Sequence, residues 1–256
     1  MIIDSHCHLD YFGEEEVEAV IARAVAAGVG RMVTIGTSVP QAAAVKALAE
    51  RFPEVWATVG VHPHRAAEGP MPTVEELVAL ADHPRVIGIG ESGLDYFYDK
   101  APRAVQQEGF RRHLRAARAT GLPMCIHARD ADADCARILE EERAGGAFPF
   151  LMHCFSSSPE LAEKAVEMGG YISFSGILTF PKSAELRALA ARLPEDRLLV
   201  ETDAPYLAPV PLRGKRCEPG YTVHTARVLA EVRGMSLEAL AAVTTANFHR
   251  LFTKAA

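Results

Sequence analysis

Short apolar or β-branched runs alternate with longer amphipathic stretches along the whole chain. The runs Ile2–His6, Arg31–Ile35, Val55–Val61, Val86–Gly90, Met124–His127, Pro149–His153, Tyr171–Ser175 and Leu198–Thr202 are too short for helices and read as strands. Apolar residues recur three and four apart over Glu14–Ala27, Pro40–Arg51, Thr73–Leu80, Ala101–Thr120, Ala131–Arg143, Pro159–Met168, Ser183–Arg192 and Tyr221–Arg233, which read as helices. Gly28, Gly121 and Gly169 follow three of these helices, where a left-handed residue closes the last turn. A further helix is expected over Ser236–Phe248, with Ser236 as its N-cap and Glu238 in its first turn.

Eight strand–helix units in 256 residues average about 32 residues each. Near-continuous apolar strands separated by helices imply a parallel sheet buried on both faces. Eight units imply an α/β fold closed as a single (β/α)8 TIM barrel rather than an open doubly wound sheet, with the last helix as an addition. No Pro-, Gly- or Ser-rich linker divides the chain, so one domain is expected over residues 1–256. The Pro-rich stretch Pro205–Pro219 reads as the loop after the last strand.

The polar residues within these strands are not scattered. Side chains two apart on a strand share a face, which groups Ile2, Asp4, His6 and His8, then Ile87, Ile89 and Glu91. The same parity pairs Cys125 with His127, Leu151 with His153, and Leu199 with Glu201 and Asp203. Each run begins apolar and ends in a metal-capable residue, and in a barrel all eight strand ends lie on the face that carries active sites. Six of the ten histidines (His6, His8, His62, His64, His127 and His153) sit at such ends. A lone strand-end histidine is ordinarily a hydrogen-bonded core or rim residue. Six converging donors from five strands, buried together without a cation, would leave unpaired charge and unsatisfied nitrogens. A metal site formed by His6, His8, Glu91, His127, His153 and Asp203 is therefore expected at the C-terminal face of the barrel, and six donors suggest two ions sharing a carboxylate. Glu201, one layer below Asp203, is expected to orient a metal histidine.

Composition narrows the chemistry further. With 27 basic and 33 acidic side chains the net charge is −6, which argues against coating nucleic acid through charge alone. No apolar run reaches the ~18 residues of a membrane span, and MIIDSHCHLD does not read as a signal peptide. Five cysteines with no CxxC pair point to a reducing, cytoplasmic setting. Gly88, Gly90 and Gly93 spell G-x-G-x-x-G, but the following LDYFYDKAP does not open a helix, so close backbone packing around Glu91 is the preferred reading. Arg111, Arg115 and Arg118 at helical spacing read as a solvated outer face rather than a nucleic-acid track.

The segments DSHCHLD (Asp4–Asp10), VGVHPH (Val59–His64), GESGLDYF (Gly90–Phe97), PMCIHARDA (Pro123–Ala131), HCFSSS (His153–Ser158), GYISFSGILTF (Gly170–Phe180), LLVETDAPYLAP (Leu198–Pro209) and RGKRCEP (Arg213–Pro219) together resemble the TatD family of metal-dependent hydrolases, a branch of the amidohydrolase-like barrels. The resemblance implies one divalent ion held by His6, His8, Glu91 and Asp203 and a second held by Glu91, His127 and His153, the metals being Zn, Mn, Mg or similar. Where related barrels often carry a bridging carboxylated lysine, this chain has Glu91. The chain departs from the family pattern at Cys217, usually asparagine, at Ser157, commonly glycine, and at His113, where the family has glutamine.

The family is associated with DNA hydrolysis, and some relatives with removing D-amino acids from charged tRNA. The expected activity is thus a deoxyribonuclease or phosphodiesterase in which two metal ions activate water and Asp203 accepts its proton. His62 and His64 would bind phosphate or protonate the leaving group. Hydrolysis of an aminoacyl ester or amide is the alternative, since the same ligands serve either bond. Arg129, Tyr206, Lys215 and Arg216 are the expected substrate contacts, with Phe155 as a further ring for base stacking. The expected partner is a nucleic acid, DNA first, with neither a membrane nor an obligate protein partner.

Overall fold

Strands buried on both faces must be covered by helices on one side and closed on themselves on the other. The computed structural model, which describes residues 1–255, meets both demands. Strands β1 (Ile2–Cys7), β2 (Val29–Ile35), β3 (Val55–Val59), β4 (Val86–Asp95), β5 (Met124–Arg129), β6 (Phe150–Met152), β7 (Tyr171–Phe174) and β8 (Leu198–Val200) pair in parallel in chain order. The helices are α1 (Glu14–Ala26), α2 (Ala42–Arg51), α3 (Val74–Ala81), α4 (Arg103–Thr120), α5 (Asp132–Arg143), α6 (Pro159–Glu167), α7 (Ala184–Arg192), α8 (Thr222–Arg233) and α9 (Leu237–Leu251). The expected barrel with its extra C-terminal helix is the observed architecture. None of the helices among the described residues is long and apolar enough to cross a membrane.

Closure between β8 and β1 uses side chains as well as backbone. A single bridge joins Cys7 and Ala204, His8 N donates to Ala204 O (2.7 Å) and Asp203 N donates to His6 O (2.9 Å). Below it, the buried Asp4 carboxylate accepts from Thr202 N (2.9 Å) and Thr202 Oγ1 (2.5 Å), while Ser5 Oγ donates to Val200 O (3.1 Å). Burial pushes the Asp4 carboxyl up to about 7 against the pull of these bonds.

Every strand sends a residue into the barrel interior: Ile3, Val33, Trp56, Ile87, Cys125, Leu151, Tyr171 and Leu199 form one apolar cluster. Phe248, Leu251 and Phe252, from α9 and the residue after it, complete that cluster, with Phe248 against Trp56 at 5.7 Å and against Phe252 at 4.6 Å. The C-terminal helix is therefore part of the barrel core. A second apolar layer packs the outer strand faces against the helices. In it, Arg111 and Arg115 converge on the carboxylate of the buried Glu142 (3.2 and 2.7 Å) and Arg118 donates to its carbonyl (2.7 Å). The row of arginines thus ties α4 to α5.

Strict parity is corrected at two strands. Ile3, not Ile2, lies in the interior cluster, and register shifts fall between Asp4 and Cys7 on β1 and between Ile89 and Ser92 on β4. Ile2 and Ile89 pack with the helix-facing core, so they do not share a side with the strand-end donors as expected. The irregular stretches, which contain His6 and Glu91, leave these donors facing the centre. Several expected boundaries move by one to three residues, and the end of β4 moves furthest, running on from Gly90 to Asp95 because Ser92–Asp95 keep pairing with Ile126–Arg129 of β5. Gly93 permits it. A Cβ there would stand 2.0 Å from the His127 carbonyl oxygen, and its φ is +151°.

Candidate metal centre

Glu91 stands at the end of the barrel interior with 2% exposure, and its two oxygens face different histidines. Oε2 lies 3.4 Å from His6 Nε2. Oε1 lies 2.7 Å from His153 Nε2, 2.9 Å from His127 Nδ1 and 3.3 Å from His62 Nε2. Across from Oε2, Asp203 Oδ1 is 3.3 Å from His8 Nε2 and 3.6 Å from His6 Nε2. Burial opposes the charge on both carboxylates, but the rings around them outweigh it: His153, His62 and His6 hold Glu91 well below the usual range, and His8 and His6 lower Asp203. Asp203 reaches its place with φ +62°, an uncommon backbone conformation for a residue with a side chain.

The chemistry of these atoms fits divalent ions. His6 is fully buried, yet neither Nδ1 nor Nε2 has a hydrogen-bond partner, and His8 Nδ1 has none either. Orphaned buried nitrogens cost free energy unless something binds them. Mutually close donor atoms occur in His6–His8–Asp203 and in His62–Glu91–His127, all within 4.8 Å of one another in each group. Histidine and carboxylate at an open barrel face suit a catalytic ion better than a closed structural one.

Two further carboxylates stand behind the histidines. Glu201 Oε1 accepts from His153 Nδ1 (3.2 Å) and from Cys154 N (2.8 Å), leaving His153 Nε2 for the Glu91 side. Asp95 Oδ2 does the same for His127, accepting from its Nε2 (3.0 Å), and accepts from His64 Nε2 (2.8 Å) as well. Asp95 is not among the residues expected from sequence, because the apolar run of β4 ends at Gly90. Only with the strand carried on to Asp95 does alternation through Gly93 put its carboxylate on the side of Glu91.

A model of the TatD related DNases matches residues 3–253. The chain belongs to the TatD family. It is 39% identical over 253 residues to the metal-dependent hydrolase YabD of Bacillus subtilis, covering 98% of this chain and 99% of that one. It is 36% identical over 242 residues to the 3'-5' ssDNA/RNA exonuclease TatD of Citrobacter rodentium, with 92% and 91% covered. The crystal structure of the Escherichia coli TatD homologue YJJV superposes with a TM-score of 0.91 at 30% identity, covering 98% of each chain. The chain is accordingly a metal-dependent hydrolase.

Above the centre of this TatD-family hydrolase lies a cavity of about 700 Å³. His62, His64, Arg129 and Tyr206 line it, together with Arg65 and Lys100, which the sequence did not single out. Lys215 and Arg216 do not line it. Arg216 pairs instead with Glu16 (2.8 Å) and the Tyr11 carbonyl (2.5 Å) and lies over the Phe12 ring, while the neighbouring Arg213 lies over Phe180. Phe155 is 2% exposed and belongs to the helix-facing core, so it offers no ring to a substrate.

Proposed function

We propose that the protein hydrolyses phosphodiester bonds in single-stranded nucleic acid, with two divalent ions bound at the Glu91 centre. The observation that carries this reading is the division of the Glu91 carboxylate, one oxygen toward His6 and the other toward His127 and His153, at the floor of a cation-lined cavity. His6, His8, Glu91 and Asp203 would hold one ion and Glu91, His127 and His153 the other. When bound, the pair would neutralise charge on the phosphate oxygens and lower the pKa of water. Because Glu91 and His6 are buried, a scissile phosphate has to travel to the floor of the cavity, which suits one flexible strand and not a stacked duplex.

Asp203 is the proton acceptor in this reading. Its carboxylate is ionised at neutral pH and is the more exposed of the two carboxylates in the centre, so it accepts a proton from the attacking water at an Oδ and returns it to the leaving oxygen. His62 acts as a donor. Burial pushes its pKa down to about 4, and its Nδ1 accepts from His64 N (3.0 Å), so the neutral ring carries its proton on Nε2, toward the centre. That hydrogen faces Glu91 Oε1, 3.3 Å from Nε2, and is available to a non-bridging phosphate oxygen, so the neutral ring acts as a hydrogen-bond donor and not as a titrating acid. Arg65 and Arg129 at the cavity wall complement the phosphates on either side.

The test uses protein stripped by chelator and reloaded with Mg²⁺, Mn²⁺ or Zn²⁺, assayed on single-stranded DNA and RNA, duplex DNA and an aminoacyl ester. Metal-dependent cleavage of single strands is expected. Glu91→Ala should lose both metal and activity. Asp203→Asn should keep most of its metal and lose roughly 10²–10⁴ in kcat. Ester cleavage without phosphodiester cleavage would overturn the reading.

A further inference from the structure

Large exposed rings are few here, and they gather in one place. Phe97, Tyr98 and Tyr206 are 55, 51 and 52% exposed, and among the described residues they are the exposed Phe, Tyr and Trp side chains. Tyr98 and Tyr206 line the cavity above the metal centre, and Phe97 stands edge-on to Tyr98 at 4.9 Å. Bare aromatic surface is costly in water and marks a binding surface when it clusters.

The rings sit on opposite halves of the centre. Tyr206 belongs to the Asp203 half: its N donates to Asp203 O (2.9 Å), and its ring is edge-on to His8 (6.3 Å) and to Tyr11 (6.4 Å), which itself stacks on His8 at 5.1 Å. Tyr98 belongs to the His127 half: its N donates to Asp95 Oδ1 (2.8 Å), the carboxylate that holds His64 and His127, and its ring is edge-on to His64 (5.2 Å). The Arg129 guanidinium covers Phe97 at 4.0 Å and Tyr98 at 4.8 Å, and Lys100 is 5.7 Å from Tyr98.

We propose that Tyr206, braced by Tyr11, and Tyr98, backed by Phe97 and Arg129, are two base-stacking platforms that hold the nucleotides on either side of the scissile phosphate. A phosphodiester placed over Glu91 necessarily carries one nucleoside toward each half of the centre. Each half presents one ring at the mouth, and the Tyr98 half adds Arg129 and Lys100 beside it, so the bases meet aromatic faces while the backbone meets charge. Stacking reads the π-face common to all bases, so the platforms bind single strands with little regard to sequence. The smallest efficient substrate is then a dinucleotide unit with both bases present.

This inference rests on the phosphodiesterase reading, and the experiment separates the two. Wild type, Tyr206→Ala, Tyr98→Ala and the corresponding Phe variants are compared on a single-stranded oligonucleotide and on the same strand made abasic at the two nucleotides flanking the cleaved bond, with metal content measured for each. Each Ala variant should raise KM on the ordinary strand by roughly 5- to 150-fold, with a smaller change in kcat. The abasic strand should show the same weakness on wild type and no further loss on the Ala variants. The Phe variants, which keep the ring, should keep the wild-type KM. Equal losses on both strands, or Phe variants as poor as Ala, would overturn the platforms while leaving the nuclease reading standing. A wild-type protein inactive on every phosphodiester would overturn both.

Discussion

Asp95 accepts from two histidine rings at once, and that decides which nitrogen of His127 is free. With Nε2–H committed to Asp95 at 3.0 Å, Nδ1 is left as the acceptor that faces Glu91. Burial opposes the Asp95 charge, but His127, His64 and the Tyr98 amide hold its carboxyl far below the usual range. Asp95→Asn replaces one acceptor with an NH2 that opposes one of these donors. A fall of roughly 10- to 100-fold in metal affinity is expected by chelator competition, with the fold retained. Unchanged affinity would show that His127 needs no such partner.

His113 is a second residue whose neighbours set its state. Its Nδ1–H donates to Gly109 O (2.7 Å), its Nε2 accepts from Val61 N (2.9 Å) one residue before His62, and burial holds its pKa down to about 4. The unfolded chain, with an ordinary histidine pKa near 6.5, binds this proton more readily than the folded one. Stability is therefore lost as pH falls from about 6.5 toward 4, by up to about 3 kcal/mol from this group. His113→Gln keeps an acceptor for Val61 and cannot titrate. The difference in unfolding free energy between wild type and variant should shift in favour of the variant over that pH window. Parallel pH profiles in urea would refute the assignment.

At the scale of elements, β4 does more than its alternation of residues suggests. Its glycines let it lie against neighbouring strands at distances no side chain allows: a Cβ on Gly90 would meet the Cys125 carbonyl oxygen at 2.6 Å, and one on Gly93 would meet that of His127 at 2.0 Å. Gly93→Ala should cost at least about 3 kcal/mol in denaturant unfolding and lower metal content too, since His127 has to move. A loss below about 1 kcal/mol would show that the strand bends away easily. The glycine signature was readable as close packing, and the helix caps were readable as well: Ser236 Oγ accepts from Ala239 N (3.1 Å), and Gly121 closes α4 with φ +69°. The true end of β4 was not, because apolar periodicity gives no signal through SGLD.

For the whole molecule, the face that carries the Glu91 cluster and the face that α9 closes are opposite ends of one barrel, a separation expected to divide function from stability. Phe252 is fully buried in the interior cluster, its ring 4.6 Å from that of Phe248. Phe252→Ala should lower stability by about 3–5 kcal/mol while leaving kcat and KM close to wild type at temperatures where the variant is folded. Loss of activity in proportion to stability would mean that the two ends are coupled.

The order of the elements, the barrel they form and the position of six donors at strand ends follow from local patterns, a few residues long, written in the chain. The TatD resemblance rests on such short segments too. The inward turn of His6 and Glu91 does not, because it depends on register shifts that parity does not give. Where charge is spent is another matter. Arg216 looked free for phosphate and is paired to Glu16, Arg65 and Lys100 were unremarkable and line the cavity, and Asp4 shared a face with the histidines yet closes the seam to Thr202. Contacts such as Asp4–Thr202 join residues 198 positions apart, so no local pattern encodes them. Electrostatic partners depend on distance in space and on exclusion of water, which only the closed barrel supplies.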